Sequence, residues 1–458
     1  MEWLPWTAET FARAARERKP ILLSISAAWC RACHEMDRTT YADPAVQAFA
    51  AARYLAVRVD TDERPDINDR YNLGGWPTTA FLTPEGALIG GGTYLDAMRM
   101  AGVLGQVADA FARLPNGAPV AHDVPRPEDT ASADRSAPAP AASDVFALFD
   151  EVYGGFGIEP KFPLTSPLRL AMALFRETQD SRYRFIVDRT LDAIADGGLC
   201  DAASGGYYRY ATTRDWQLPH VEKLLDTNAR LLAAFVEAAS TFGREADRAR
   251  ARRLADFVGS LASDRGGYVS SEAGTRVFAA STARAAGALL GAAELLDDRS
   301  LAQTTLRQFE GFLLSAYRPG GGVAHFVDAG ERFNGLLGDQ IATGEALLAA
   351  YALTGDEPYR MMAEEVGHYA LRAFPAPGGG FVDRIVEERD VGLLREPRTP
   401  YFENCDAAAF FAGLDRASRD ATFQGVAQGA LDRARPAAVV HGPDAACWLL
   451  AARDVAIR

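Results

Sequence analysis

Two cysteines, Cys30 and Cys33, follow the apolar run Ile21–Ile25 and stand just before a helical pattern. Two thiols at this spacing, at a helix start behind a strand, make a dithiol/disulfide switch. The helix N-terminus offers unpaired N–H groups and the positive end of the dipole, and both favour a thiolate. Cys30, preceded by Trp29, therefore reads as the attacking thiol and Cys33, one turn in, as the resolving thiol. Other uses of the same residues stay open. Cys30-Arg31-Ala32-Cys33-His34 also fits the pattern that attaches c-type haem. That chemistry normally needs export, and residues 1–20 show no apolar signal-peptide core. A zinc site needs a second ligand pair, and no other Cys-x-x-Cys or His-x-x-x-His occurs, so no metal is expected. An inert structural pair competes with the redox pair.

The elements that must position the dithiol follow from the first hundred or so residues. Thr7 to Arg18 has helical spacing, with Phe11 and Ala14–Ala15 on one face, and Lys19-Pro20 stops it. Tyr54 to Val59 alternates like a strand. Gly74-Gly75-Trp76-Pro77-Thr78 leads into a strand over 79–82, and Pro84-Glu85-Gly86 turns into another over 87–89. A helix is expected over 96–114. This order, with the dithiol between first strand and first long helix, resembles a thioredoxin-like domain. In that family a cis-proline faces the dithiol and leaves the preceding backbone free to pair with a substrate strand. Pro77 matches it. The family's buried acid aligns with Ser24, and the residues between the cysteines are Arg31-Ala32.

At 458 residues the chain holds more than one domain. A net charge of −13 argues against nucleic acid or an anionic membrane surface as partner. No apolar stretch reaches the length of a transmembrane helix. Five cysteines with one close pair do not form a disulfide framework, so a reducing, cytoplasmic location is expected. Cys200, Cys405 and Cys447 read as buried thiols.

Six prolines among Ala, Ser and Asp mark residues 115–143 as a linker. It separates a domain over 1–114 from one over 144–458. In the second domain, long amphipathic patterns come in pairs divided by glycine-rich loops, such as Gly205-Gly206-Tyr207-Tyr208, Gly266-Gly267-Tyr268 and Gly378-Gly379-Gly380-Phe381. The recurrence, roughly every fifty to sixty residues, is a repeat signature. About twelve helices are expected on periodicity, among them 144–153, 166–178 and 220–241. Six hairpins suggest a closed (α/α)6 toroid, since the apolar final helix, with Trp448 and Leu449, is a poor cap for an open solenoid. Tyr207, Tyr208, Tyr268 and Phe381 then either rim a funnel that suits sugar rings or plug one end of the ring.

Only three of the forty-eight basic residues are lysine: Lys19, Lys161 and Lys223. Where arginine is so preferred, a surviving lysine hints that the compact ammonium matters. Lys223 lies in Pro219-His220-Val221-Glu222-Lys223. Read as helix, that stretch places His220 and Lys223 with Thr227 on one face, either as a polar floor to the funnel or as surface ion pairs. Lys161, Tyr208, His220, Glu222 and Lys223 are the toroid's binding candidates.

Further motifs sharpen the resemblance: Val59-Asp60-Thr61-Asp62-Glu63-Arg64-Pro65, Gly74-Gly75-Trp76-Pro77, Gly91-Gly92-Thr93-Tyr94, Lys161-Phe162-Pro163, Gly205-Gly206-Tyr207-Tyr208-Arg209-Tyr210 and Pro219-His220-Val221-Glu222-Lys223-Leu224-Leu225. With the dithiol motif they are similar to the spermatogenesis-associated thioredoxin-like protein family. That family fuses a thioredoxin-like domain to a six-hairpin α/α toroid resembling N-acylglucosamine 2-epimerases and six-hairpin glycosidases. The resemblance implies an α/β thioredoxin-like N-terminal domain followed by an all-α toroid.

The expected function is thiol–disulfide oxidoreduction at Cys30 and Cys33, supported by Trp29 and Pro77. The redox-active disulfide stands in place of any cofactor. The partners would be a redox protein or thiol client and a sugar-like ligand of the toroid. The alternatives are a carbohydrate-active isomerase, epimerase or hydrolase, with His220, Glu222 and Asp192 as the acid/base candidates, and a non-catalytic binding scaffold.

Overall fold

A computed structural model describes residues 1–113, 138–328, 331–418, 420 and 422–457. The chain divides into two compact units: Met1–Arg126 with Arg384–Arg398, and Pro127–Asp383 with Thr399–Arg458. Most of the expected linker, residues 115–137, lies outside the described residues. Its last residues already enter a short helix, Ala142–Phe146.

In the first unit the strands β1 (Ile21–Ser26), β2 (Leu55–Asp60), β3 (Thr78–Leu82) and β4 (Leu88–Gly92) form one sheet in the order β2-β1-β3-β4. β1 runs parallel to β2 and antiparallel to β3. Its side chains alternate between two cores: Ile21, Leu23 and Ile25 pack with Trp6, Phe11, Ile67 and Tyr71, and Leu22 packs with Met36, Tyr54, Phe81 and Leu104. A strand covered on both faces is apolar at nearly every position, and in β1 only Ser24 interrupts the run Ile21–Ile25. The helices are α1 (Ala8–Glu17), α2 (Arg31–Thr39), α3 (Pro44–Arg53), α4 (Pro65–Tyr71) and α5 (Ala97–Arg113). α1 starts where the Thr7 hydroxyl accepts from the Thr10 N–H, and ends at Arg18 in the left-handed conformation.

The stretch Arg384–Arg398, expected inside the toroid, is part of this first unit. Val391 and Leu394 join the core beside Trp6, Phe11 and Ile67. The buried Arg70 donates to the carbonyls of Leu393 and Glu396, both at 2.8 Å. The Tyr71 hydroxyl donates to Gly86 O and accepts from Leu393 N. Gly86 has φ +87°, and a Cβ there would lie 2.4 Å from Gly392 Cα, so the two backbones touch only because both residues are glycine.

The second unit is built from inner and outer helices in alternation. The inner ones are α7 (Ser166–Thr178), α9 (Leu225–Phe242), α11 (Ala279–Leu296), α13 (Leu337–Thr354), α15 (Tyr401–Ser418) and α17 (Ala446–Ala456). Each packs on the next, and α17 packs back on α7, so the ring closes. The outer helices are α8 (Ser181–Asp196), α10 (Glu245–Ser260), α12 (Arg299–Ala316), α14 (Glu357–Ala373) and α16 (Thr422–Ala438). Ala142–Phe146, called α6, stands in the remaining outer position beside α17. No described helix is long and apolar enough to cross a membrane.

One device recurs around the ring. After an outer element the chain makes a glycine turn, and the residue that follows bridges back antiparallel: Phe156 to Phe149, Tyr207 to Cys200, Tyr268 to Ala262, Val323 to Tyr317 and Phe381 to Pro375. In four repeats the fourth residue of the next inner helix grips that backbone. Asn228 bonds both N–H and C=O of Tyr207, Thr282 those of Tyr268, Gln340 those of Val323 and Asn404 those of Phe381. All four side chains are buried.

Two expectations change and one open alternative is decided. The helix expected over 220–241 begins at Leu225, because Pro219–His220 instead pairs as a two-residue strand with Tyr210–Ala211. His220, Lys223 and Thr227 therefore share no helical face. The helix expected over 144–153 is the five-residue α6 followed by turns. Tyr207, Tyr268 and Phe381 form no open rim, since all three are core side chains at the end of the ring.

Asn404→Ala removes both partners of the Phe381 backbone at a buried position and should cost about 1–3 kcal/mol. Urea unfolding followed by far-UV circular dichroism checks this, and an unchanged midpoint would remove the clamp from the account of ring stability.

Candidate functional site

The dithiol stands where β1 hands the chain to α2. Cys30 is the N-cap residue, with its Sγ accepting from Cys33 N at 3.1 Å. Its carbonyl accepts from His34 N and its own N–H donates to Ala27 O. The two sulfurs are bonded, with Cα atoms 5.3 Å apart. The loop ahead of Cys30 is tied to the turn after β2. Asp60 accepts from Ala28 N at 3.0 Å, and Asp62 accepts from Trp29 Nε1 at 3.0 Å. Asp60 also accepts from Asp62 N, which fixes the turn itself. Trp29 packs edge-on against Trp76 at 5.5 Å, and the Trp76–Pro77 peptide bond is cis, as the resemblance implied.

Beneath this loop lies a cluster of hydroxyls. Ser24 and Thr79 are opposite one another across β1 and β3, and Tyr41 Oη lies 2.8 Å from Thr79 Oγ1. Burial pushes the Tyr41 phenol up, outweighing its hydrogen bonds with Thr79 and Ser24. Among the described residues of this strand pair, neutral side chains occupy the place where the resembling family keeps an acid.

The five toroid candidates fall into separate clusters. Lys161 is fully buried; its Nζ lies 2.7 Å from Asp150 and donates to Arg214 O. Arg214 also pairs with Asp150 at 2.8 Å. Burial raises the Asp150 carboxyl, but Arg214 and Lys161 outweigh it and hold the group well below the usual carboxylate range. Lys223 bonds Asp201 at 2.6 Å, Ser204 at 2.9 Å and Glu272 at 3.0 Å. The bonds from Lys223 and Ser204 hold Asp201 likewise low. Tyr208 lies under the Lys223 ammonium, 5.6 Å from its ring centre. His220 Nδ1 bonds Glu222, and its ring stacks on Tyr210, which stacks on Phe162. Asp192 is held by Arg244 and Arg250.

The open space in this unit is elsewhere. A cavity of about 740 Å³ runs between the inner helices. Its charged lining includes Arg169, Arg176, Arg230, Glu237, Arg284, Glu345 and Asp406. Asp226 anchors Arg230 and Arg284 at 2.8 and 2.9 Å, and Glu237 anchors Arg169 and Arg176 at 3.0 and 2.9 Å. None of the five candidates lines it. The signal that could have found it is periodic: alanine or glycine alternates with a charge at helical spacing on each inner helix, as in Ala229-Arg230-Ala233-Glu237 and Ala342-Glu345-Ala346-Ala349. Cys405 and Cys447 line the same space, and burial pushes the Cys447 thiol up to about 12 and Cys405 well above its ordinary value.

Residues 1–115 match the family described as Thioredox_DsbH, protein of unknown function, DUF255. The chain joins a thioredoxin-like domain to an α/α toroid. It is 31% identical over 303 residues to human (Homo sapiens) spermatogenesis-associated protein 20, an alignment covering 59% of this chain and 38% of that protein. The chain thus matches well under half of its curated relative. Over 79 residues it is 40% identical to thiol:disulfide interchange protein DsbD 1 of Pseudomonas aeruginosa, covering 16% of the chain and 13% of that protein. In structure it resembles cellobiose 2-epimerase from Bacillus thermoamylovorans, with a TM-score of 0.55 at 12% identity over 63% of this chain and 82% of that one. At that identity the likeness shows the fold alone.

Glu345 gives the cavity a pH signature. Burial, then the neighbouring Asp406, push its carboxyl from 4.5 to about 8, against the pull of Arg284, Arg169 and Arg230. The folded chain thus holds a proton that the unfolded chain releases near the ordinary value. Its stability contribution is present at low pH and is lost as pH rises through that window toward about 8. Thermal unfolding from about pH 5 to pH 9 should show a smaller fall in Tm for Glu345→Gln than for the parent. Parallel curves would place Glu345 outside this account.

Proposed function

We propose that the chain is a thiol–disulfide oxidoreductase acting through Cys30 and Cys33, with the toroid as its ligand- or client-binding body. The observation that carries this is the N-cap position of Cys30. A thiolate there finds a backbone N–H already aimed at its sulfur and the positive end of α2 behind it. The Cys30 thiolate attacks one sulfur of a client disulfide, forming a mixed disulfide and releasing one client thiolate. Cys33, as thiolate, then attacks Cys30 Sγ and releases the second. The client gains two electrons, and the Cys30–Cys33 disulfide forms. A thiol reductant must restore the pair, which is the redox partner this reading requires.

Trp29, fixed by Asp62, and Pro77, beside Trp76, support the site by holding the loops on either side of the dithiol. The similarity of one segment to a thiol:disulfide interchange protein supports the same reading. A cytoplasmic location fits a dithiol kept reduced between turnovers.

Insulin reduction driven by dithiothreitol tests it. Cys30→Ser should fall to the rate without protein, and Cys33→Ser should accumulate a mixed disulfide visible by mass spectrometry. Alkylation of the reduced protein near neutral pH should label Cys30 before Cys33. Parent protein no faster than dithiothreitol alone would sink the proposal.

A further inference from the structure

We infer that the central cavity of the toroid binds a small polyhydroxylated anion, its acidic group held by Arg169, Arg230 and Arg284 and its hydroxyls by the carboxyl pair Glu345 and Asp406. This rests on the reading of the toroid as a ligand-binding body and names the chemistry of that ligand.

The volume, about 740 Å³, is that of a small-molecule site. The walls between the charges are largely alanine and glycine, with Ser166, Cys405, Cys447 and Leu450 among them. No aromatic side chain lines it among the described residues. Stacking on a ring face is therefore not how a ligand is gripped, and recognition falls to charge and hydrogen bonds.

The charges are arranged unevenly. Four guanidinium groups share two carboxylates: Arg169 and Arg176 meet on Glu237, and Arg230 and Arg284 meet on Asp226. Each guanidinium carries five N–H donors, so these contacts fix its position and leave donors free. Glu345 and Asp406, on the adjacent inner helices α13 and α15, make no hydrogen bond or ion pair among the described residues. Arg284, Arg169 and Arg230 line the same cavity as these two carboxyl groups. Burial and the Asp406 charge push the Glu345 carboxyl up to about 8, so near neutral pH it keeps its proton. The pair then offers one donor and several acceptors, the complement of vicinal hydroxyls. The arginines offer planar forks, the complement of carboxylate or phosphate. Arg453 and Glu177, also in the lining, pair with each other, and Asp454 adds a carboxyl that burial pushes up.

Isothermal titration of the full chain with glucuronate, glucose 6-phosphate, glucose and inorganic phosphate tests this. At least one of the two sugar anions should bind with unit stoichiometry and at least about tenfold more tightly than glucose or inorganic phosphate. Tighter glucuronate identifies a carboxylate ligand, and tighter glucose 6-phosphate a phosphate one. Binding should weaken with added salt. Arg284→Met should weaken it at least about tenfold; Arg284→Lys, which keeps the charge and loses the fork, serves as the second variant should Arg284→Met not fold. Cys30→Ser should bind the sugar anion as the parent does, so the redox reading and this one fail separately. Glucose binding as tightly as either anion, no binding of either anion at about 10 mM, or unchanged binding in the folded Arg284 variant overturns the inference.

Discussion

Buried backbone without a partner is what this chain most has to avoid. A ring of helix hairpins sends the chain back through its own interior at every repeat, where water cannot satisfy the loop amides. The solution is a side chain at the fourth residue of an inner helix that serves both polar groups of the facing loop residue. Asn and Gln can donate and accept at once, and the Thr282 hydroxyl does the same for Tyr268. The apolar loop residue then sinks into the core while its backbone stays paired. The first unit meets the same demand with a cation. Buried Arg70 takes the carbonyls of Leu393 and Glu396, and Tyr71 takes Leu393 N. In each unit the polar residue that closes the fold lies far in sequence from the backbone it serves or across a loop from it.

This constraint separates structural charge from charge left for a ligand. Lys161 and Lys223 are rare residues of their type, yet each is surrounded by its own carboxylates and backbone acceptors. A compact ammonium suits a narrow buried site where an arginine fork would not fit, and Gly155 leaves room for it: a Cβ there would lie 3.2 Å from Lys161 Cε and 2.5 Å from the Trp216 ring. The cavity charges behave differently. They share counter-ions instead of being matched one to one, and they stand among small residues. Unequal sharing in an open space leaves donors unspent.

What the sequence makes legible follows from range. The dithiol, its strand and its helix lie within twenty residues, and their order survives folding unchanged. The paired helices are legible because each has its own period and its own glycine stop. Three features were hidden. The start of α9 depends on Pro219–His220 pairing with Tyr210–Ala211, a contact that no helical period reports. The residues 384–398 pack with Trp6, Phe11 and Tyr71, some three hundred residues away, so their place follows from tertiary contact alone. The inner-helix charges were masked because an inner helix is apolar on nearly every side, and one arginine or glutamate among alanines reads as a surface position. The aromatic loop residues stayed ambiguous for a related reason: a ring beside glycines fits a rim as well as a plug, and only the burial of its backbone clamp decides.

The hydroxyl cluster under the dithiol bears on how the proposed chemistry would run. For Cys33 to attack the mixed disulfide it must lose its proton. A carboxylate in the core below could accept that proton, but Ser24, Thr79 and Tyr41 cannot hold it at neutral pH: their hydroxyls relay protons without storing them, and burial makes the Tyr41 phenol a weaker acid still. Asp60 and Asp62 lie near the loop, yet their oxygens accept from Ala28 N, Trp29 Nε1 and the N–H groups of their own turn. In the proposed cycle the departing client thiolate is one acceptor for that proton, and the ease of resolution would then depend on the acidity of the client thiol that leaves. Such a site would distinguish clients by the chemistry of their disulfides.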